Sequence, residues 1–331
     1  MASTPRPAPR AVTERLLLRL EWRVLRRLDG QLAGGYRTAR RGAGTDLAGL
    51  REYAPGDDAR HIDWNVTARL NETQIRVFSE DRELTVWLVL DRSASMTVGP
   101  PGRGKHEVLT ELALVLARMF GRGGNRVGAI LYDTAPRDTA LGNTGPGAAV
   151  RVVPPGTGRG HVLRMGAELA ATAAVEPAPP RRGNGARGGR GSPGRTTDLA
   201  AMLDTAGRLA RRRALIIVIS DFIGDGDWER SLLRLAPRHE VVALRVTDAG
   251  DDGLPDAGLV VVEDAETGEQ LIIDSGDPLL RARLSAGAAA RDARLAAGMR
   301  RAAVPLHRIA TTGDLAAALV EVVVSTRRRR A

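Results

Sequence analysis

Two nearly continuous aliphatic runs, residues 84–90 and 214–219, constrain this chain more than any other feature. A strand with one wet face alternates apolar and polar residues, whereas a strand covered on both faces does not. Both runs are strand-sized and far short of the roughly 20 residues needed to cross a bilayer. They are therefore predicted as central strands of a buried parallel sheet. Each ends at a carboxylate: Asp91 follows the first, and Ser220-Asp221 closes the second.

Helical and extended patterns alternate around these runs. Val108, Leu112, Val115, Leu116 and Met119 recur at helical spacing within residues 105–120, and residues 126–132 read as the next strand. Helices are predicted over 161–174, 199–209, 228–235, 278–301 and 314–323, and strands over 241–246 and 306–309. Residues 259–262 and 270–273 flank a turn near Glu266-Thr267-Gly268 and are predicted as a hairpin. The predicted fold is α/β, a doubly wound, mostly parallel open sheet with a β-hairpin addition. In such sheets ligands bind beyond the carboxyl ends of the strands, where Asp91 and Asp221 fall.

Residues 84–326 are assigned to this domain, with 176–196, rich in Gly, Pro and Arg, as a flexible surface loop inside it. Ahead of it lies an extended segment, 34–83, ending in the half-buried strand pattern of 74–78. Residues 1–33 form a tail and a basic amphipathic helix over 12–28, with Leu16, Leu20 and Val24 on one face. Docking on its own domain is preferred for that helix over a membrane surface. Residues 327–331 form a basic tail.

With 43% hydrophobic and 27% charged residues, the 331-residue chain can bury one large core and carry an appendage. Cysteine is absent, which excludes disulfides and thiolate chemistry and suits a reducing compartment. Neither a secretory leader nor a membrane span is expected, so the chain is read as cytoplasmic. The net charge of +10 invites a nucleic-acid reading. However, Lys105 is the only lysine, arginine supplies the other 48 of 49 basic residues, and these are spread along the chain. That pattern reads as compositional bias rather than as a binding face.

The segment that carries chemistry is Asp91-Arg92-Ser93-Ala94-Ser95, directly after a buried strand. A carboxylate and two hydroxyls at alternate positions of a tight loop can turn into one pocket. Hard oxygen ligands suit Mg²⁺, Mn²⁺ or Ca²⁺ rather than Zn²⁺. Thr197, at the mouth of the helix beginning near Asp198, offers a further hydroxyl, with Thr196 as the alternative. Asp221 offers the second carboxylate. The bland reading makes Ser93, Ser95 and Thr197 turn and cap residues.

The set Asp91, Ser93, Ser95, Thr197 and Asp221 resembles the metal-ion-dependent adhesion site of von Willebrand factor A domains. There, Asp-x-Ser-x-Ser, a Thr and an Asp sit on three strand-end loops. That resemblance implies a bound divalent ion with a replaceable water, which an acidic side chain of another protein can displace. A second resemblance lies in residues 51–69: Arg51, Tyr53, Pro55-Gly56-Asp57-Asp58, Arg60, Ile62-Asp63-Trp64-Asn65 and Thr67-Ala68-Arg69. With Val77-Phe78 and the Asp91 loop behind it, this segment resembles the bacterial family called domain of unknown function 58. That resemblance implies a von Willebrand A-like protein found alongside MoxR-type AAA+ ATPases, acting as their adaptor or co-chaperone. Longer members carry membrane helices ahead of this region. The signature itself reads as an ion-pair network in preference to a second binding surface, with Trp64 as a packed anchor.

The expected function is thus a metal-dependent protein-binding module, not an enzyme. Two rivals stand beside it. A haloacid-dehalogenase-type phosphohydrolase also uses an Asp after a buried strand, but wants a second Asp two residues on as general acid, where this chain has Ser93. A nucleic-acid-binding protein would rest on the arginines of residues 181–195 and 327–330.

Overall fold

The structure, a computed structural model, describes residues 41–55, 57–79, 84–97, 99, 103–133, 149–173, 198–224, 227–251, 253–263 and 270–328. The amphipathic helix expected over 12–28, the loop expected over 176–196, Thr196 and Thr197 lie outside the described residues. The described residues divide into two compact units, one ending at Leu84 and the other starting at Thr85.

The first unit is a hairpin of β1 (Arg41–Glu52) and β2 (Gln74–Ser79), paired antiparallel, with a short helix α1 (Trp64–Leu70) in the connection. The signature carboxylates are spent on local structure. Asp58 accepts the Arg60 N–H at 3.0 Å and caps a 3₁₀ turn. Asp63 accepts the N–H groups of Asn65 and Val66 at the start of α1 and pairs with Arg76 Nε at 2.9 Å. Asp57 takes both arms of Arg51, at 2.7 and 2.5 Å, and the Ala54 N–H. These partners hold Asp57 and Asp63 below the usual carboxylate range, through the arginine hydrogen bond first in each case. Two expectations need correction. The segment is not merely extended, since Asp63 caps a genuine helix. Trp64 is not a packed anchor but is 69% exposed at the first position of that helix.

The second unit holds a six-stranded sheet in the order β10-β7-β6-β3-β4-β5, with β3 Thr85–Arg92, β4 Arg126–Asp133, β5 Ala149–Gly156, β6 Leu215–Ser220, β7 Glu240–Thr247 and β10 Leu306–Ala310. All neighbours are parallel except β5, which runs antiparallel to β4 at the edge. The edge place suits Pro154 and Pro155, which cannot donate to a ladder. Every residue of β6 is buried, and in β3 only Thr85 is not. Both faces are therefore covered, as the unbroken aliphatic runs require.

On one face Trp87, Val89, Ile216 and Val218 pack with α4 (Leu199–Leu209), α5 (Trp228–Leu235) and α6 (Pro278–Arg301). Leu88 and Leu90 alternate to the other face, and the long helix α2 (Lys105–Arg122) packs against β3, β4 and α3 (Gly158–Ala173). Helix α7 (Leu315–Arg328) ends the described chain. Strands β8 (Leu259–Glu263) and β9 (Gln270–Asp274) form the expected hairpin, and Leu259, Val261, Leu271 and Ile272 on it are exposed. Among the described residues no helix is long and apolar enough to cross a membrane.

This order positions the site. From β3 the chain moves outward to β4 and β5, then returns to the opposite side of β3 for β6 and β7. The reversal falls between β3 and β6. A crevice opens at such a point beyond the strand ends, because the connections leave in opposite directions.

Candidate metal centre at the strand switch

Strands β3 and β6 pair Leu90 with Ile219, so Asp91 and Ser220 arrive side by side at the crevice. Both strands end in the same local device. The Ser93 N–H donates to Asp91 Oδ1 at 3.0 Å, and the Ile223 N–H donates to Asp221 Oδ1 at 3.0 Å. A carboxylate accepting the N–H two residues on folds the chain into a tight turn and fixes its own direction. In the second loop the turn carries Phe222 into the left-handed region, φ 56°. The Phe222 N–H and the Asp91 carboxylate share one hydroxyl: Ser220 Oγ accepts from the first at 2.8 Å and donates to Asp91 Oδ2 at 2.6 Å.

The Asp91 loop continues as a 3₁₀ turn, Ala94–Thr97, anchored by the fully buried Met96. That turn brings Ser93 Oγ and Ser95 Oγ to 3.0 Å from one another. Asp91, Ser93, Ser220 and Asp221 have no solvent exposure. The structure thus brings together four of the five residues singled out from sequence: Asp91, Ser93, Ser95 and Asp221. Thr197 lies outside the described residues. Asp198, the next residue, caps α4 by accepting the Ala201 N–H at 2.8 Å. Its charge acts on the buried Tyr132 together with that of Asp91. Burial first, then Asp198 and Asp91, push the Tyr132 hydroxyl up to about 12.

The electrostatics of the pocket are crowded. Burial, and next the charge of Asp221, push Asp91 up to about 6 against the opposing hydrogen bonds from Ser220 and Ser93. Among the described residues no group of three or more His, Cys, Asp or Glu could hold an ion. An ion here would depend on two carboxylates and the hydroxyls beside them. That donor set fits a hard cation: the atoms are all oxygens, and Asp91 and Asp221 are buried and repel one another.

Sequence reasoning missed three members of this cluster. Ser220 was visible beside Asp221, but its bond to Asp91 depends on strand order. Lys105 Nζ donates to Asp221 Oδ2 at 3.1 Å and to Asp251 Oδ1 at 2.7 Å. The signal for Lys105 was its singularity among 48 arginines. Nothing near Asp251 in sequence marks it.

Several known proteins are similar to this chain. An uncharacterized protein of Mycobacterium tuberculosis is 38% identical over 309 residues, which cover 93% of this chain and 88% of that one. An uncharacterized protein of Mycobacterium avium is 41% identical over 133 residues, 40% of this chain and 77% of its own. Among solved structures, an aerotolerance-related membrane protein from Bacteroides fragilis matches with a TM-score of 0.39 at 15% identity, covering 74% of this chain and 99% of that chain. The conserved hypothetical protein BatB from Bacteroides thetaiotaomicron matches with a TM-score of 0.38 at 14% identity and the same coverage. A family model described as protein of unknown function DUF58 matches residues 49–294. That span includes the signature of the first unit, the Asp91 loop and Asp221, and the chain belongs to the DUF58 family.

Proposed function

We propose that this chain is a metal-dependent protein-binding module of the von Willebrand factor A kind. Asp91, Ser93, Ser95 and Asp221 would hold one Mg²⁺, Mn²⁺ or Ca²⁺ ion, with Thr197 as a further ligand. The observation that carries the reading is the pairing of two fully buried carboxylates at adjacent strand ends, each aimed by its own turn. Asp198 caps α4, and Leu199 at the start of that helix packs in the same core cluster as Tyr132 of β4, the strand beside β3, which supports a third loop at this end of the sheet.

When bound, the ion supplies a positive centre with an exchangeable water for an acidic side chain of another protein. The chain's own groups do the rest. Ser220 and the Ser93 N–H orient Asp91, the Ile223 N–H orients Asp221, and Met96 seats the serine turn against the core. The partner proposed is a MoxR-type AAA+ ATPase or its client, with this chain as adaptor or co-chaperone.

Co-purification with that ATPase, with and without chelator, tests the reading. Wild type is expected to hold its partner in Mg²⁺ and release it in EDTA. Asp91→Ala/Ser93→Ala/Ser95→Ala should fail in both while keeping its secondary structure by circular dichroism. A complex indifferent to chelator and to the triple substitution would move the working surface elsewhere.

A further inference from the structure

The one lysine of the chain stands at the proposed metal centre. Lys105 opens α2, its side chain is 2% exposed, and its ammonium lies between Asp221 Oδ2 and Asp251 Oδ1. Asp251 is itself fixed, since its Oδ2 accepts the Asp248 N–H at 2.9 Å. Asp248 in turn accepts the Thr311 hydroxyl at 2.6 Å. Arg103, two residues before the lysine, donates to the carbonyls of Thr311 and Gly313, each at 2.5 Å. The loops beyond β6, β7 and β10 and the entry to α2 are thereby joined, with the ammonium at the junction.

Asp221 is the shared element. Its Oδ1 accepts the Ile223 N–H and its Oδ2 accepts Lys105, while the proposed ion needs the same carboxylate. A divalent ion drawing on Asp221 meets an ammonium within hydrogen-bond distance of it. In a buried pocket that repulsion is poorly screened by salt or solvent.

We propose that Lys105 is the resident counter-ion of this centre and sets its threshold for divalent metal, with Asp251 as the carboxylate toward which the ammonium withdraws when metal enters. The proposal rests on reading the Asp91 loop as a metal site. While no metal is bound, the lysine offsets part of the carboxylate charge. Metal then binds against the lysine and is held best when an acidic group of the partner adds its own negative charge. Metal uptake and partner capture are coupled by this device, since each lowers the barrier to the other.

The two members of the lysine pair give opposite predictions. Lys105→Met keeps most of the buried stem but removes the charge, so three carboxylates (Asp91, Asp221 and Asp251) face the ion without a competing cation. Mg²⁺ should bind at least about tenfold more tightly. Asp251→Asn leaves the ammonium with Asp221 alone, and Mg²⁺ should bind several-fold more weakly. A merely structural lysine would not yield opposite signs.

The test is isothermal titration of MgCl₂, repeated with MnCl₂, into the chelator-stripped full-length chain as wild type, Lys105→Met, Asp251→Asn and Asp91→Ala. Tighter binding in Lys105→Met, or binding there when wild type shows none, supports the lysine's role. Equal or weaker binding in Lys105→Met overturns it. Should Lys105→Met fail to fold without metal, Asp251→Asn decides, and unchanged or tighter binding in it overturns the proposal. Binding abolished by Asp91→Ala but untouched by Lys105→Met leaves the metal site standing and removes only the lysine's role. No metal binding by any variant removes both.

Discussion

Replacing Lys105 by methionine will cost the metal-free protein on the order of 3–5 kcal/mol of folding stability. The side chain is buried, and its ammonium is held by Asp221, which has no solvent exposure, and by Asp251. Methionine fills most of the volume of the stem, so lost packing contributes little. The loss is electrostatic: the buried Asp221 and the partly buried Asp251 lose the cation between them, and a buried charge without its partner is the costly half of an ion pair. Urea unfolding in EDTA measures it. Added Mg²⁺ should recover more stability in Lys105→Met than in wild type, because ligand that binds the native state more tightly stabilises it more. A loss below about 1 kcal/mol, the range of a surface pair, would mean that the ammonium does not hold this cluster together.

The opposite sign is expected one strand away. Asp91→Asn should stabilise the metal-free protein at pH 7.5 by about 2–3 kcal/mol, which is the cost of ionising a carboxyl whose folded value stands near 6 rather than near 3.8. Because the folded value is raised, the stability linked to Asp91 is complete below about pH 4 and is lost as pH rises through about 6. The advantage of the asparagine should therefore shrink as the buffer is taken from pH 7.5 toward pH 4. Wild type should also lose Mg²⁺ affinity over the same window, since the ion requires the ionised carboxylate. Urea titrations at several pH values, with chelator present, check the first part. A less stable Asp91→Asn, or a difference that does not change with pH, would show that Asp91 is not under strain from Asp221 and burial.

Much of this architecture could be read from residues alone, for definite reasons. Central parallel strands are buried on both faces, and so β3 and β6 appear as unbroken aliphatic runs whose ends are easily located. The Asp at each end could be located with them. Helix α2 carries regular apolar spacing, and α4 repeats Leu199, Met202, Leu203 and Ala206 on one face, so both were equally plain.

What escaped depends on long-range placement. Strand β5 is a proline-bearing edge strand that no run of aliphatics announces. Helix α1 has only seven residues, too short for periodicity to show, and only its Asp63 cap marks it. Trp64 was expected inside because of what it is, yet hydrophobicity alone does not decide burial. Ser220 acquires its role from the β3–β6 register, which pairs residues far apart in sequence. Lys105 and Asp251 are 146 residues apart, so the ion pair was invisible until the loops beyond β6 and β7 came together.

The Asp91 loop is proposed to hold one divalent ion. Electron paramagnetic resonance of Mn²⁺ added to the chelator-stripped protein counts free and bound ions directly. About one Mn²⁺ should bind per chain, displaced by excess Mg²⁺ and lost in Asp91→Ala, with affinity in the millimolar range or tighter, as befits a hard-cation site with few carboxylates. No bound signal at about millimolar Mn²⁺, or the same bound signal in Asp91→Ala, would contradict it.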